Sequence, residues 1–302
     1  MKIVIPHHKV FNEFVPFSGP VEKGHEVDFL GCKIRDEFWT ATFRSGIPHT
    51  SYPPVNEDYF EWIVLLESVV SAEKTYTMIE LGAGFGRWLV RAALANRQRR
   101  GLPFQLIAVE AEPAHFELIP LHFRDNNIDP ADHVLIQAAV TDHGGDALFR
   151  VGRRRQQVES EATEWYGQAL IDAGGASKSR ADGEYRGFPL LKHEKGWKSI
   201  RVPSIALSDV LRDLDKVDLI DLDVQGEEFR VISSAIEEIT RKAKRLHIGT
   251  HSKEVETGLR RVLRKYHWKC QADYTCGSTS ETPWGPVQFG DGVQSWVNPS
   301  LV

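Results

Sequence analysis

Cysteine is scarce in this chain, with only three residues among 302, at positions 32, 270 and 276. They form neither a Cys-x-x-Cys pair nor a disulfide framework, and such sparse use is typical of a reducing compartment. Long apolar runs are also lacking. Residues 3–5 before Pro6 are too few for a signal-peptide core, and no run approaches the roughly 18 apolar residues of a membrane span. We therefore expect a cytoplasmic protein that has no membrane partner.

Positive charge is not in excess, because 37 lysines and arginines face 42 aspartates and glutamates, for a net charge of −5. Nucleic-acid-binding proteins typically carry a basic stripe or patch. Two short basic clusters, residues 97–100 and 153–155, are more typical of a solvated helix end and a loop. We therefore expect no nucleic-acid partner. The apolar content of 41% suits an ordinary globular protein.

Strand and helix patterns alternate from residue 75 onward. The candidate strands are residues 76–81, 105–110, 134–140, 217–224, 245–250, 268–274 and 287–297, the last of them antiparallel. Because amphipathic helical patterns lie between them, the sequence predicts an α/β fold with a doubly wound, mostly parallel seven-stranded sheet. We divide the chain into an N-terminal extension and helix over residues 1–74, expected to cover the site, and one domain over residues 75–302.

Residues 152–200 interrupt this alternation. The segment holds many charges, a Gly-Gly pair at 174–175 and five aromatic residues: Trp165, Tyr166, Tyr185, Phe188 and Trp197. A stretch of this length without a regular pattern inside a compact domain is usually functional or disordered. Its aromatic content favours an ordered, inserted lid over a binding site rather than a plain linker.

The most informative stretch is Met-Ile-Glu-Leu-Gly-Ala-Gly-Phe-Gly at residues 78–86. An apolar strand ends there, three glycines follow at alternate positions, and a helical pattern begins. Glycine lets backbone approach a ligand closely, and a nucleotide-like ligand can lie across the carboxyl end of such a strand. In the dinucleotide fingerprint the third glycine comes one residue later, where this chain has Arg87. A nicotinamide oxidoreductase is therefore the weaker alternative.

A second carboxylate supports a nucleotide-like ligand. Glu110 ends the second predicted strand, 26 residues after Gly84, and a carboxylate in this place accepts hydrogen bonds from ribose hydroxyls of NAD or of an adenosyl group. Glu112, two residues on, is the second candidate. The backbone amides around Ala138 and Ala139, in the third strand segment, are the candidate adenine contacts.

The pattern Glu-x-Gly-x-Gly-x-Gly at residues 80–86 resembles the first motif of S-adenosylmethionine-dependent methyltransferases. Residues 137–142 and 202–211 resemble segments of the FkbM family in particular. The strongest likeness is Val-Asp-Leu-Ile-Asp-Leu-Asp-Val-Gln-Gly-Glu at residues 217–227, which is similar to the family's Val-Asp-Leu-Leu-Lys-Ile-Asp-Val-Glu-Gly-x-Glu. The resemblance covers roughly residues 75–251.

This resemblance implies a class I, Rossmann-like methyltransferase fold that binds S-adenosylmethionine. It also implies O-methylation of a small-molecule hydroxyl, on a sugar or a secondary metabolite. The implied cofactor contacts are Glu80, Gly82, Ala83, Gly84, Gly86, Glu110, Ala138 and Ala139. The sequence names no acceptor, and assembly into a homo-oligomer stays open.

Two departures from the family pattern matter. Asp221 stands where the family usually has lysine, and Gln225 where it usually has glutamate, whereas Asp223, Gly226 and Glu227 are kept. Since an altered motif can mean altered chemistry, a non-catalytic protein that binds S-adenosylmethionine is one alternative. A nucleic-acid methyltransferase is another, and the negative net charge weakens it.

Methyl transfer to a hydroxyl requires a group that takes the hydroxyl proton. Asp223 and His251 end two successive predicted strands and are the expected catalytic residues, with His251 as general base because an unperturbed imidazole titrates near neutrality. Asp221 and Asp223 alternate onto one strand face and could share a divalent cation such as Mg²⁺. In the competing interpretation one of them pairs with a basic neighbour and the other caps a helix. His247 is expected to be structural.

Overall fold

The computed structural model describes residues 7–38, 49–151, 168–171, 179–193 and 196–302. The strands are β1 (His25–Val27), β2 (Lys33–Arg35), β3 (Tyr76–Leu81), β4 (Phe104–Glu110), β5 (Val134–Gln137), β6 (Ala139–Thr141), β7 (Gly145–Val151), β8 (Ser179–Tyr185), β9 (Phe188–His193), β10 (Lys198–Ala206), β11 (Leu219–Leu222), β12 (Arg245–Thr250), β13 (Lys269–Tyr274), β14 (Ser278–Thr282), β15 (Gly285–Phe289) and β16 (Gly292–Val297). The α-helices are α1 (Asp58–Val70), α2 (Arg87–Arg99), α3 (Pro113–Asp125), α4 (Leu207–Leu211), α5 (Glu228–Ser234), α6 (Ile236–Lys242) and α7 (Lys253–Lys265). None of these described helices is long and apolar enough to cross a membrane.

The central sheet has seven strands in the order β13-β16-β12-β11-β3-β4-β5. The pairs from β12 through β5 are parallel, whereas β16 runs antiparallel to both of its neighbours. This confirms the predicted doubly wound, mostly parallel sheet. From β3 the chain builds outward through β4 and β5, then crosses back to β11 on the other side. In such sheets the strand-order reversal opens a crevice at the carboxyl ends of the strands, here β3 and β11.

Both faces of the central sheet are buried, which explains why the sequences of its strands are continuous apolar runs. Alternate side chains of a strand point to opposite faces. Met78 of β3 therefore joins an apolar cluster that includes Val64 of α1 and Leu89 of α2. Ile79, the next residue, joins the cluster on the opposite face with Ile232 of α5.

The segment around residues 152–200 differs from its prediction, because the described part of it consists of strands. Strands β8, β9 and β10 pair antiparallel, β7 pairs with the other edge of β10, and β6 joins them in a second sheet. The sequence of β8, Ser-Arg-Ala-Asp-Gly-Glu-Tyr, is polar and mostly exposed, so it carries no hydrophobic alternation. Trp165, Tyr166 and the glycine pair at 174–175 lie outside the described residues.

Two predicted elements are divided in the structure. Predicted strand 134–140 breaks at Ala138 into β5 and β6, which belong to different sheets. The late segment 287–297 contains β15, which forms a hairpin with β14, and β16, which enters the central sheet. Each division moves one half of an apolar run to a new partner, and sequence periodicity alone does not reveal such a change.

The N-terminal residues pack on α1. Phe11 stacks on Tyr59 of α1 with ring centroids 5.1 Å apart, and the Tyr59 hydroxyl accepts a hydrogen bond from the His8 amide at 2.8 Å. Helix α1 in turn packs against α2 and reaches the edge of the crevice with Asp58 and Glu61 of its first turn. The extension thus supports the helix that forms one wall of this crevice.

Candidate functional site

A cleft with a volume of about 270 Å³ lies at the carboxyl ends of β3, β4 and β11. It begins at the glycine turn after β3. Gly82 has a φ of +78° and Gly84 a φ of +55°, values that favour glycine. A Cβ on Gly82 would lie 1.9 Å from the backbone oxygen of Asp223. The turn is therefore pressed against the loop after β11, and only glycine fits at residue 82.

Glu80 lies at the floor of the cleft. Its Oε2 accepts a hydrogen bond from the Leu89 amide of α2 at 3.2 Å. Burial and the nearby charge of Asp221 raise the pKa of Glu80 well above its ordinary value. Glu80 therefore ties strand β3 to helix α2 directly beneath the glycine turn. It also lines the cleft, as the predicted cofactor contact requires.

Glu110, at the end of β4, faces the glycine turn. Its Oε2 accepts from the Gly84 amide at 2.7 Å, and its Oε1 accepts from the Glu112 amide at 2.8 Å. Burial raises the pKa of Glu110 to about 7. Glu112 has a structural role instead: its Oε2 accepts a hydrogen bond from the His115 amide and so caps the N-terminus of helix α3. Of the two candidate carboxylates, Glu110 is the one beside the glycine turn.

The third strand segment closes this end of the cleft with apolar surface. Ala138 and Ala139 line it together with Phe149 of β7. The Ala138 amide donates to the Glu110 backbone oxygen at 3.1 Å. This amide was a predicted adenine contact, but it is engaged within the protein. The alanines therefore offer a flat apolar wall, and strand β7 adds an aromatic side chain that sequence reasoning missed.

The opposite end of the cleft is rich in carboxylates. The loop after β11 presents Asp223, whose side chain is 55% exposed and whose amide donates to the Leu81 oxygen at 2.9 Å. Gln225 donates from Nε2 to Asp223 Oδ1 at 3.1 Å. A glutamate at this position would place a second carboxylate there, so the departure from the family pattern at Gln225 supports the charge on Asp223.

His251 lies beside Asp223 in a strongly acidic setting. Its Nδ1 is 2.9 Å from Glu228 Oε1, and its Nε2 is 3.3 Å from Asp223 Oδ1. Although burial lowers the pKa of His251, the hydrogen bond to Glu228 and the charge of Asp223 raise it to about 9. The expectation of a near-neutral pKa is therefore wrong. Sequence reasoning missed Glu228, although the glutamate of the family's Gly-x-Glu, two residues after Gly226, falls on residue 228 and not on Glu227.

The raised pKa of His251 predicts a pH dependence of stability. The folded-state pKa of about 9 exceeds the ordinary value of 6.5. The stabilisation, about 3 kcal/mol at most, is therefore complete below pH 6.5 and is lost as the pH rises through 9. We expect denaturant unfolding to show that His251→Gln removes this pH-dependent part of the stability. Glu228→Gln should weaken it as well. Identical pH profiles for the wild type and His251→Gln would contradict this assignment.

The predicted cation ligands Asp221 and Asp223 belong to different groups. Ligand atoms of Asp221, Glu61 and His247 lie within 4.8 Å of one another, and those of Asp223, Glu228 and His251 form a separate group of the same size. His247 is buried, and its Nδ1 lies 3.1 Å from Ser295 Oγ. Burial lowers the pKa of His247 to about 3, which keeps its imidazole neutral.

Comparison with known proteins places this cleft in context. The model of the methyltransferase FkbM domain matches residues 80–265, a range that contains the glycine turn, Glu110, Asp223 and His251. A protein from Jannaschia sp. (strain CCS1) named "Putative methyltransferase" is 26% identical over 296 residues, covering 96% of this chain and 98% of that protein.

Two solved structures resemble the chain more distantly. Methyltransferase FkbM from Methylobacillus flagellatus KT has a TM-score of 0.43 and 9% identity, with 81% of this chain and 55% of that chain covered. A precorrin-6Y C5,15-methyltransferase from Geobacter metallireducens GS-15 has a TM-score of 0.41 and 10% identity, with 82% and 92% covered.

Proposed function

The chain belongs to the methyltransferase FkbM domain family, whose model matches more than half of its residues, and within that family we propose that it methylates a hydroxyl of a small molecule with S-adenosylmethionine as donor. A sugar or a secondary metabolite is the expected acceptor. The observation that carries the proposal is the convergence of the glycine turn, Glu110 and Asp223 in one cleft. One bound cofactor could therefore contact the glycine turn and Glu110 at one end of the cleft and approach Asp223 at the other.

The cofactor has a place for each of its parts. Glu110 would accept hydrogen bonds from the ribose hydroxyls, and Ala138 and Ala139 would form the wall for the adenine ring. The tight turn at Gly82 and Gly84 lets the methionine part lie against backbone. Because the loop after β11 packs directly on this turn, a methyl donor bound there would have Asp223 beside its reactive end.

Asp223 is the group that takes the acceptor proton in this proposal. The acceptor oxygen forms a bond to the methyl carbon as the carbon–sulfur bond breaks, and S-adenosylhomocysteine leaves. The hydroxyl proton moves to a carboxylate oxygen of Asp223. Because the pKa of His251 is about 9, its imidazole is protonated at neutral pH. Burial raises the pKa of Asp223, and the charge of His251 opposes that rise and holds the carboxyl group in position. The roles of the two predicted catalytic residues are thus unequal, with Asp223 as base and His251 beside it.

The remaining expectations fit this proposal. Carboxylates at the acceptor end of the cleft would repel a phosphate backbone, which weighs against a nucleic-acid acceptor. The alternative of a non-catalytic binding protein arises because Asp221 replaces the family's lysine. Asp223, the proposed base, is nevertheless kept and lines the cleft. We also propose a cytoplasmic location, in line with three cysteines that are all free thiols in the structure.

Turnover tests the proposal most plainly. The purified chain, supplied with S-adenosylmethionine and a panel of sugars and phenolic or aliphatic alcohols, should release S-adenosylhomocysteine with at least one acceptor, and the product should carry a new O-methyl group. An N-methylated or C-methylated product would show that the acceptor atom is nitrogen or carbon, and would contradict the proposed hydroxyl acceptor. Binding of the cofactor without turnover on any acceptor, lysate small molecules included, would favour the non-catalytic alternative.

Removing the charge of Glu110 should weaken cofactor binding selectively. Glu110→Gln replaces charge-assisted hydrogen bonds to the ribose by weaker ones, and we expect the Kd for S-adenosylhomocysteine to rise about 10- to 100-fold in calorimetry. Glu117→Gln is the matched control, because Glu117 is an exposed carboxylate on α3 that pairs with Arg186. An equal affinity in Glu110→Gln and Glu117→Gln would argue against a ribose contact at Glu110.

A further inference from the structure

Asp221, which stands where the FkbM family usually has lysine, completes a buried polar row across the central sheet. Strand register sets Glu80 of β3, Asp221 of β11, His247 of β12 and Ser295 of β16 side by side. All four are buried. Because residues in register share a face, the row points as a unit toward helix α1, which contributes Glu61 to it.

This row brings three carboxylates together, and two of them, Glu61 and Asp221, share a hydrogen bond. Within the described ranges, neither Glu61 nor Glu80 nor Asp221 has a lysine, arginine or histidine within ion-pair distance. Arg87 is the nearby cation, and its charge acts on all three carboxylates, but its ion pair, at 3.3 Å, is with Asp58. Clustered carboxylates that are removed from water must share protons or bind a cation. Where lysine occupies the position of Asp221, its ammonium group supplies that cation.

His247 independently indicates a ligand. The side chain is 4% exposed, and its Nδ1 contacts Ser295 Oγ at 3.1 Å. Its Nε2 has no hydrogen-bond partner among the described residues, although the imidazole lines the cleft. A buried imidazole with one nitrogen fixed by a hydroxyl and two carboxylates within 4.8 Å of a ring nitrogen has the arrangement of a metal ligand and its supporting residue.

We propose that Glu61, Asp221 and His247 bind a divalent transition-metal ion in the acceptor half of the cleft. Their ligand atoms lie within 4.8 Å of one another, so one ion can contact all three after small side-chain adjustments. One imidazole and two carboxylates suit Mn²⁺, Fe²⁺ or Zn²⁺ better than Mg²⁺ or Ca²⁺, which prefer oxygen ligands alone. Three protein ligands leave coordination positions open.

The second group, Asp223, Glu228 and His251, lacks a free ligand atom on its histidine. Glu228 occupies Nδ1 of His251, and Asp223 Oδ1 lies 3.3 Å from its Nε2. A metal ion there would have to displace a hydrogen bond and remove a proton from a group whose pKa is about 9. The ion therefore belongs to the group around Asp221.

The ion would share the cleft with Asp223. An acceptor hydroxyl that coordinates it loses its proton more readily, so acceptors with a second oxygen next to the methylated hydroxyl should be preferred. This acceptor preference rests on the proposed function, whereas the binding of the ion is independent of it.

Manganese binding to the full chain tests the site. After chelator treatment and desalting, electron paramagnetic resonance and calorimetry with Mn²⁺ alone should show one ion per chain, and Zn²⁺ should compete for it. Asp221→Asn and Glu61→Gln should weaken the affinity at least about tenfold, and His247→Gln should remove the nitrogen coupling from the Mn²⁺ spectrum. Asp221→Lys, which restores the family residue, should abolish binding in a chain that stays folded.

Asp223→Asn is the matched control. It removes only a charge that neighbours Asp221, so it should weaken Mn²⁺ binding far less than Asp221→Asn. No binding of Mn²⁺ or Zn²⁺ to the wild type, or a loss in Asp223→Asn that equals the loss in Asp221→Asn, would overturn the proposed site. Titration of the same samples with S-adenosylhomocysteine separates the two proposals. Metal binding without cofactor binding would leave the ion site standing and the methyl donor refuted, and the reverse result would refute the ion site alone.

Discussion

Gly82→Ala should abolish binding of S-adenosylhomocysteine and lower the stability of the fold. The new Cβ would lie 1.9 Å from the Asp223 backbone oxygen, so strand β3 or the loop after β11 must move. The residue also has a φ of +78°, which disfavours alanine. Together these effects should cost about 2–4 kcal/mol. Calorimetry should detect no binding at ligand concentrations that saturate the wild type.

Gly101→Ala separates the two causes. Gly101 also has a positive φ, +61°, but its Cβ would meet nothing within 4 Å. We expect this control to lose only about 1 kcal/mol, the backbone part of the effect, and to bind the cofactor normally. If Gly82→Ala behaved like Gly101→Ala, the close approach between the glycine turn and Asp223 would not exist in solution.

Asp223→Asn should reduce methyl transfer about 10²- to 10⁴-fold, the usual contribution of a positioned general base. The amide keeps the shape of the side chain, but it cannot take the hydroxyl proton. Because Asp223 lies at the acceptor end of the cleft, away from Glu110 and the adenine wall, the Kd for S-adenosylhomocysteine should stay near that of the wild type. Steady-state kinetics with the best acceptor of the panel, together with calorimetry, measures both quantities.

Asp291→Asn is the control for Asp223→Asn. Asp291 also lines the cleft, is 51% exposed, and lies 3.7 Å from His251, so its loss changes the local charge by the same amount. A general electrostatic effect would slow both variants equally, whereas a proton acceptor at residue 223 slows only Asp223→Asn. Full activity in Asp223→Asn would remove this residue from the mechanism.

The parts of the site that follow from local sequence could be predicted. Alternate glycines directly after an apolar strand can only form a close turn, and a carboxylate that ends the next parallel strand must come to the same sheet edge. The structure accordingly brings Gly84 and Glu110 within hydrogen-bond distance. The doubly wound, mostly parallel sheet followed in the same way from the alternation of strand and helix patterns.

The parts that depend on tertiary contacts could not be predicted. Glu61 is 160 positions from Asp221 in the sequence, and no pattern indicates that α1 lies over β11. The charge state of His251 also depends on its surroundings, because Glu228 and Asp223 change an ordinary imidazole into a cation. The polar strand β8 could not be predicted either. It pairs with β9 through its backbone, and its side chains show no alternation of apolar and polar residues.

Titration calorimetry of the purified chain with S-adenosylhomocysteine, and in parallel with NADH, shows whether this cleft binds a methyl donor or a dinucleotide. We predict binding of S-adenosylhomocysteine with a micromolar Kd and no binding of NADH, because the glycine turn has no third glycine at the dinucleotide position and Glu110 accepts a hydrogen bond from the Gly84 amide. Binding of NADH alone, or of neither ligand, would contradict the assignment of this cleft to a methyl donor.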